Sequence, residues 1–378
     1  MRTTTLAKII ILSLIAISNL ATKVSGQSPL TRPAHVGLIY PISTNGKDAP
    51  AYTNQFSLHV FAGVSKAETG AAVAGISNIV KENVSGAVVA GFSNHIGNIT
   101  RGVSVAGFMN TVHNKAQGAM VAGFINSAKE LKGYQVAGFG NFAAKGDTSS
   151  GQLAGFLNRG DTAQLSIAGF GNMHRAAKVQ LAGFINANGN AHTQIAGFMN
   201  IAKKVKGVQV AGFLNIADSS DYSIGIINIV KNGEKQFSLS IDETTTTILS
   251  FKSGGRVMYG IIGVGYNFKD ADTRYAIQAG IGAHLFAGPR FRINVEATST
   301  ALTDFSKWQY HKQTLAILPA WRLGSRVEVF AGPTFNHVYS KDGVGEDLSG
   351  YYLWSKHYRN NKFWGDYIGG TAGVQVKL

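Results

Sequence analysis

The sequence predicts an all-β protein, and three observations lead to that prediction. A motif that ends in Ala-Gly-Phe-x-Asn recurs every 13 to 17 residues through the first part of the chain. Short polar stretches between the copies carry the Gly, Asn and Asp that turns require. Beyond the repeats, apolar and polar residues alternate in segments of strand length. Each repeat is therefore predicted to supply one strand and one turn.

The repeat glycines define the regular part of the chain. Good copies of the motif occupy residues 105–110 and 210–215. The glycines are Gly75, Gly91, Gly107, Gly123, Gly138, Gly155, Gly169, Gly183, Gly197, Gly212 and Gly225. We divide the chain into a signal peptide at 1–26, an N-terminal strand and loop at 27–59, about 12 repeat units at 60–230, and C-terminal strands at 231–378.

Alternation along a strand separates each repeat into two faces. In one copy the first face is Val208, Val210, Gly212, Leu214 and Ile216, and the second is Gln209, Ala211, Phe213, Asn215 and Ala217. An apolar face of that length, tilted by roughly 40°, spans about 25 Å, the height of the lipid-facing band of an outer-membrane barrel. This favours an antiparallel barrel of about 20–22 strands, with the Gln, Phe and Asn side chains lining or plugging the lumen.

The alternative is a parallel β-solenoid with one coil per repeat, joined to a C-terminal barrel of about eight strands. An asparagine in every copy would stack into a ladder. In several units an aliphatic residue also lies two positions before the opening glycine, as at Val84, Leu131 and Val205. This is expected if the stretch between strands has an inward side chain of its own, as in a solenoid. Against this, a narrow coil that buries Ala and Phe must expose the Val-Gly-Leu stripe to water.

The C-terminal third has about eight predicted strands without the repeat. Alternation is clearest at 291–298, where Arg292, Asn294, Glu296 and Thr298 face one way. A polar interior and an apolar exterior are typical of membrane strands. Counted with the repeats, the strands number about 21, an odd total that indicates an error of one in the count.

Two groups of residues stand out in this third. Glu296 and Glu328 are candidate lumen carboxylates, paired with Arg292 and Arg326. A connection at 341–366 is unusually long, which is typical of a functional surface loop. Its aromatic residues predict an extracellular contact, a loop that constricts a pore, or an interfacial girdle: Tyr351, Tyr352, Trp354, Tyr358 and Trp364.

The N-terminus predicts export. Arg2 and Lys8 precede an apolar run at 9–21 that is followed by small and polar residues, which is the layout of a signal peptide. The run is too short for a transmembrane helix, which needs about 20 residues. We therefore expect a mature chain that begins near Gln27 and is directed to the outer membrane or cell surface.

Composition limits the partners. The chain has no cysteine, which excludes a lipidated cysteine and a disulfide framework. Removing the three bases of the signal segment from the 35 leaves 32 basic and 20 acidic residues, a net charge of +12. Because the bases are scattered among turns and the chain is exported, we expect no nucleic acid partner. Outer-membrane lipid or lipopolysaccharide, or an unknown surface ligand, fits better, and merely solvated turns remain the alternative.

The repeats and the segments at 223–228 and 254–268 resemble the surface-repeat proteins of spirochaetes and Bacteroidota. The resemblance covers nearly the whole mature chain. It implies an outer-membrane or surface location. It supplies no catalytic or binding residues.

The sequence predicts no enzyme, cofactor or metal site. Four histidines fall in or beside repeat turns without a consistent carboxylate partner: His95, His113, His174 and His192. Gly260, Gly263 and Gly265 lack the following helix that a phosphate loop needs. Two functions remain, a structural or passively pore-forming outer-membrane protein and a surface-displayed adhesin or binding module.

Overall fold

The computed structural model describes residues 30–269, 274–286, 288–305, 308–359 and 361–378. The predicted signal peptide lies outside the described residues. Strands account for 76% of the described residues, and the helix found among those residues is a short 3-10 helix at Gly46–Ala51. The predicted all-β class is confirmed.

Residues 31–230 form a stack of parallel coils, a β-solenoid. Its strands are β1 Thr31–Ile39, β2 Ile42–Ser43, β3 Thr53–Ser65, β4 Ala67–Ala74, β5 Ser77–Ala90, β6 Ser93–Ala106, β7 Met109–Ala122, β8 Ile125–Ala137, β9 Gly140–Gly146, β10 Gly151–Ala154, β11 Leu157–Ala168, β12 Gly171–Ala182, β13 Ile185–Ala196, β14 Met199–Val205, β15 Val208–Ala211, β16 Leu214–Ser219, β17 Tyr222–Ile224 and β18 Ile227–Val230.

Each repeat is one coil rather than one strand. Asn94 lies beside Asn110, and Asn110 beside Asn126, in parallel register. Among the described strands of this region, only β1 and β2 pair in the antiparallel sense. The predicted 20–22-strand antiparallel barrel is therefore wrong for the repeats, and the alternative of a solenoid joined to an eight-stranded barrel describes the chain. Alternation of faces is the same in both folds, so it could not distinguish them.

A buried asparagine ladder runs through the solenoid. The Asn110 side-chain amide donates to Asn126 Oδ1 at 2.9 Å and, across the coil, to the Val121 carbonyl at 2.7 Å. The same arrangement links successive coils through Asn78, Asn94, Asn110, Asn126, Asn141, Asn158, Asn172, Asn186, Asn200, Asn215 and Asn228. A buried carbonyl without a hydrogen-bond donor costs about 1–3 kcal/mol. The ladder supplies donors to such carbonyls in each coil that it crosses, and so stabilises the stack.

The aliphatic residues that favoured a solenoid lie inside it. Val84, Leu131 and Val205 are all buried, with at most 4% of their surface exposed. They lie in two apolar clusters with inward residues such as Ile96 and Val230. The predicted inward position of these residues is confirmed.

A second polar ladder contains His174, which the sequence placed in a turn. That prediction is wrong, because His174 is buried among stacked glutamines. Its Nδ1 lies 3.2 Å from the Gln180 amide nitrogen, and its Nε2 lies 2.8 Å from Gln152 Oε1. A neutral ring that accepts at Nδ1 and donates from Nε2 satisfies both partners. Burial lowers the pKa of His174 to about 4, despite an opposing effect of Asp161.

This ladder makes solenoid stability depend on pH. An unfolded histidine titrates near 6.5, so the stabilisation by neutral His174 is complete above that pH and is lost as pH falls towards 4. Between pH 7 and pH 4.5, we expect the free energy of unfolding of the wild-type chain to fall by about 2 kcal/mol more than that of the His174→Gln variant. Urea unfolding of the full chain at both pH values measures this difference. The exposed His192 offers the control, because His192→Gln is expected to keep the wild-type pH profile.

The Gly-Phe step is a corner of each coil, and this changes the predicted faces. Gln209, Ala211 and Asn215 point inward as the alternation required, whereas Phe213 is 40% exposed. The chain bends at Gly212–Phe213, so the alternation is interrupted there. The expectation that these phenylalanines fill an interior is therefore wrong.

The C-terminal part is a closed antiparallel barrel of eight strands. The strands are β19 Lys235–Asp242, β20 Thr246–Gly254, β21 Met258–Asn267, β22 Tyr275–Leu285, β23 Phe291–Thr303, β24 Trp308–Arg322, β25 Val327–Lys341 and β27 Lys362–Lys377, with a short β26 Trp354–Tyr358 that pairs with β27. Pairing of β19 with β27 closes the barrel.

The last coil of the solenoid joins one end of the barrel. Tyr222 of β17 pairs with Met258 at the start of β21. Arg256 forms an ion pair with Asp221 at 2.7 Å, and the Asn228 side chain donates to the Ser253 carbonyl at 3.0 Å. The asparagine ladder thus ends on the barrel backbone, so the two parts share a continuous hydrogen-bonded junction.

Candidate membrane-facing barrel and its interior

The outer wall of the barrel is apolar. Alternation along each strand points aliphatic and aromatic side chains outward, and many of them are about half exposed. They include Phe237, Leu239, Ile241, Leu249, Ile262, Val264, Ile277, Ile281, Leu315, Ile317, Phe335, Ile368, Val374 and Val376. A soluble protein rarely exposes a contiguous apolar surface of this extent. The outer wall therefore presents a contiguous apolar surface.

Aromatic residues border the wall at both ends. Trp321 and Phe291 pack together at the solenoid end, with ring centroids 5.1 Å apart. At the other end of the same strand, Trp308 is 52% exposed, and Tyr339 packs on Trp364 nearby. Thirteen residues separate the two tryptophans of β24, or about 33 Å for a strand tilted by roughly 40°. That height matches an apolar band with an interfacial girdle on each side.

The barrel interior is filled by buried ion pairs. Near the solenoid, Arg292 contacts Glu328 at 2.5 Å and Glu234 at 2.7 Å, and the Gln375 amide also donates to Glu328. Arg322 reaches the other oxygen of Glu328 at 3.0 Å. This cluster satisfies two carboxylates with two guanidinium groups and leaves a cavity of about 180 Å³ at that end.

Two further ionic layers lie deeper. Lys252 contacts Glu296 at 2.5 Å, and the Tyr259 hydroxyl donates to the same oxygen at 2.7 Å. Near the opposite end, Lys312 contacts Asp242 at 2.6 Å. Arg292 and Glu296 are four residues apart on β23, so the first two layers follow the inward face of that strand. The cavity between these layers has a volume of only about 50 Å³.

Three of the four charged residues that the sequence predicted for the lumen lie inside the barrel. Arg292, Glu296 and Glu328 are inside, but the expected partners differ. Glu296 pairs with Lys252, which the sequence analysis did not single out. The prediction that Arg326 pairs in the lumen is wrong, because Arg326 lies exposed in the turn between β24 and β25. Arg322, the last residue of β24, takes that place instead.

The long aromatic loop covers the barrel end away from the solenoid. Leu348 is buried against Tyr310, Tyr367 and other apolar side chains, with Tyr352 packed at the margin. Tyr352 also donates to the Glu346 carbonyl at 2.8 Å. The remaining predicted contact residues stay on the outside of this end, with exposures of 40–56%: Tyr351, Trp354, Tyr358 and Trp364. The loop therefore folds into the mouth and presents an aromatic rim.

Sequence reasoning missed Lys252, Lys312 and Asp242. Each faces inward on a strand of the barrel, but each lies one or two residues outside the bounds that the sequence pattern predicted for that strand. The alternation that identified Arg292 therefore did not reach them. Their partners are 44 and 70 residues distant. Pairing at that separation follows from barrel register rather than from local pattern.

Within the described ranges, no cluster of three or more His, Asp or Glu side chains is placed to hold a metal ion. The same residues contain no helix with the length and hydropathy needed to span a membrane. None of the known protein families, curated proteins or solved structures compared with the chain matches it significantly.

Proposed function

We propose that the chain is an outer-membrane protein whose eight-stranded barrel anchors a rigid solenoid. The observation that carries this proposal is the closed barrel with its apolar wall, which encloses charged side chains. That arrangement is the reverse of a soluble β-barrel and is typical of outer-membrane barrels. The predicted signal peptide supports the same location.

An anchoring role fits the interior better than a passive pore. Eight strands leave an interior just wide enough for side chains to fill, and here three layers of ion pairs occupy it. Loop residues such as Leu348 close the end away from the solenoid. We therefore expect no ion-sized conductance steps in a planar bilayer.

Turn lengths favour one orientation. At the solenoid end the barrel turns cover 255–257, 286–290 and 323–326, whereas the opposite end carries the connection 342–361. Outer-membrane barrels have short periplasmic turns and longer extracellular loops. We infer that the aromatic loop faces outward and that the solenoid extends into the periplasm. Protease added to intact cells should then cleave the loop and spare the solenoid.

The outer wall provides the direct test of membrane embedding. Leu315 is exposed at the middle of β24 and pairs with Ala297 and Phe335 on the neighbouring strands. An arginine at the midplane of a barrel wall costs about 2–4 kcal/mol. We expect Leu315→Arg to lower the free energy of unfolding from lipid vesicles by that amount, measured by urea titration.

Leu323 is the matched control, because it is also exposed but lies in the turn beyond β24. Leu323→Arg is expected to cost about 0–1 kcal/mol, the value for an interfacial position. Equal effects of the two substitutions would contradict a depth-dependent lipid environment. So would a wild-type chain that stays monomeric and dissolved without detergent.

A further inference from the structure

The solenoid has one apolar edge and one charged edge. The Gly-Phe corners bring nine phenylalanines into a single stack, which we call the Phe ridge: Phe92, Phe108, Phe124, Phe139, Phe156, Phe170, Phe184, Phe198 and Phe213. Successive ring centroids are 4.8–5.2 Å apart and the rings are nearly parallel. Eight of the nine are 37–51% exposed.

Charge is confined to the other edge. Residues 77–217 hold 12 basic and four acidic side chains, and none of these charges lies within a Val-Ala-Gly-Phe-x-Asn segment. A column of aliphatic residues flanks the ridge, with exposures of 38–46% at Val89, Val121, Val136, Leu153 and Ile195. The ridge is therefore a continuous uncharged surface.

The ridge chemistry limits what can cover it. The ring faces are occupied by neighbouring rings, so a sugar or a nucleobase has no free aromatic face on which to stack. The motif segments also place their polar side chains, such as Asn158 and Gln152, inside the coil. The surface offers ring edges and aliphatic carbon, which fit an apolar partner.

We propose that the Phe ridge binds the Phe ridge of a second copy of this chain. The nine rings expose on the order of 700 Å², taking about 40% of roughly 200 Å² each. The flanking column brings the apolar surface to about 1,000 Å², above the ~800 Å² per partner of a stable interface. A partner stack with the same repeat of about 4.8 Å stays in register along the whole ridge, as in stacked, dry β-interfaces.

The pairing has a defined direction, which rests on the proposed membrane anchor. Two barrels in one membrane require a two-fold axis along the membrane normal. If the solenoid continues along that axis, the two ridges run in the same sense, and each phenylalanine meets the same residue of its partner. In an antiparallel pair, Phe108 would instead lie opposite the far end of the ridge.

Cross-linking in isolated outer membranes tests this geometry. The natural chain has no cysteine, so a Phe108→Cys variant presents a single thiol to a short bis-maleimide reagent. We expect most of this variant to run as a covalent dimer. Adding Phe156→Glu in the same chain places a charge in the middle of the ridge and should reduce the cross-linked fraction at least tenfold, while circular dichroism confirms folding.

Lys129→Cys on the charged edge is the control and should yield little dimer. Similar yields from positions 108 and 129 would indicate random collision and overturn the proposal. The proposal is also overturned if Phe108→Cys gives no dimer. In that case, quenching of a fluorophore at position 108 by brominated lipid would show that lipid, rather than a second copy, covers the Phe ridge. Membrane and soluble fractions are analysed separately. A chain found in the soluble fraction would contradict the proposed membrane anchor, whereas a chain that stays in the membrane but does not cross-link would contradict the pairing alone.

Discussion

Replacing Arg292 by methionine is expected to lower the free energy of unfolding of the barrel by about 4 kcal/mol. Arg292 is 1% exposed, and its guanidinium contacts both Glu234 and Glu328. Removing one partner of a buried ion pair costs about 3–5 kcal/mol, and here two carboxylates lose the guanidinium that they share. Urea unfolding of the full chain in detergent, followed by intrinsic tryptophan fluorescence, measures the effect.

The control uses the residue that the sequence wrongly placed in the lumen. Arg326→Met removes an arginine from an exposed turn, where substitutions usually change stability by less than about 0.5 kcal/mol. Combining Arg292→Met with Glu328→Gln should recover part of the loss, since the second change removes a buried carboxylate that Arg322 would then have to balance without Arg292. Equal losses from Arg292→Met and Arg326→Met would show that the buried cluster does not stabilise the barrel.

The two parts of the chain differ in how well sequence predicts them. In the barrel, alternation identified strands such as 291–298 and placed Arg292 and Glu296 inside. In the repeats, the same alternation is compatible with parallel and antiparallel pairing. The deciding feature was the asparagine in every copy, since identical buried amides satisfy one another only when coils stack in register.

The surface features were harder to predict for a physical reason. Phe213 alternates with inward residues in the sequence, but its direction depends on the bend at Gly212. Likewise, the partner of Glu296 depends on barrel closure, which brings Lys252 across the interior. Local pattern fixes which side of a strand a residue takes. It does not fix where the strand turns or which strand lies opposite.

Gly155→Ala is expected to be among the most damaging single changes in the solenoid. A β-carbon at Gly155 would lie 2.1 Å from the carbonyl oxygen of Gly138 one coil earlier. No side-chain movement relieves that overlap, because the obstacle is backbone. The coils must separate locally, which breaks the bonds from Gly155 N to the Ala137 carbonyl and from Phe156 N to the Phe139 carbonyl. We expect a loss of about 3–5 kcal/mol, the scale of severe core disruptions.

Hydrogen exchange with mass spectrometry of the full chain reads this loss locally. Amides of the two coils around Gly155 should exchange at least a hundredfold faster, since about 3 kcal/mol corresponds to that factor. Gly350→Ala is the matched control, because a β-carbon there meets no atom within 4 Å. If the amides of Gly155→Ala exchanged as slowly as those of the wild type, the corners of neighbouring coils would not lie as close together as the structure places them. The Phe ridge depends on that same spacing, so its rings should lose their register together with the corner.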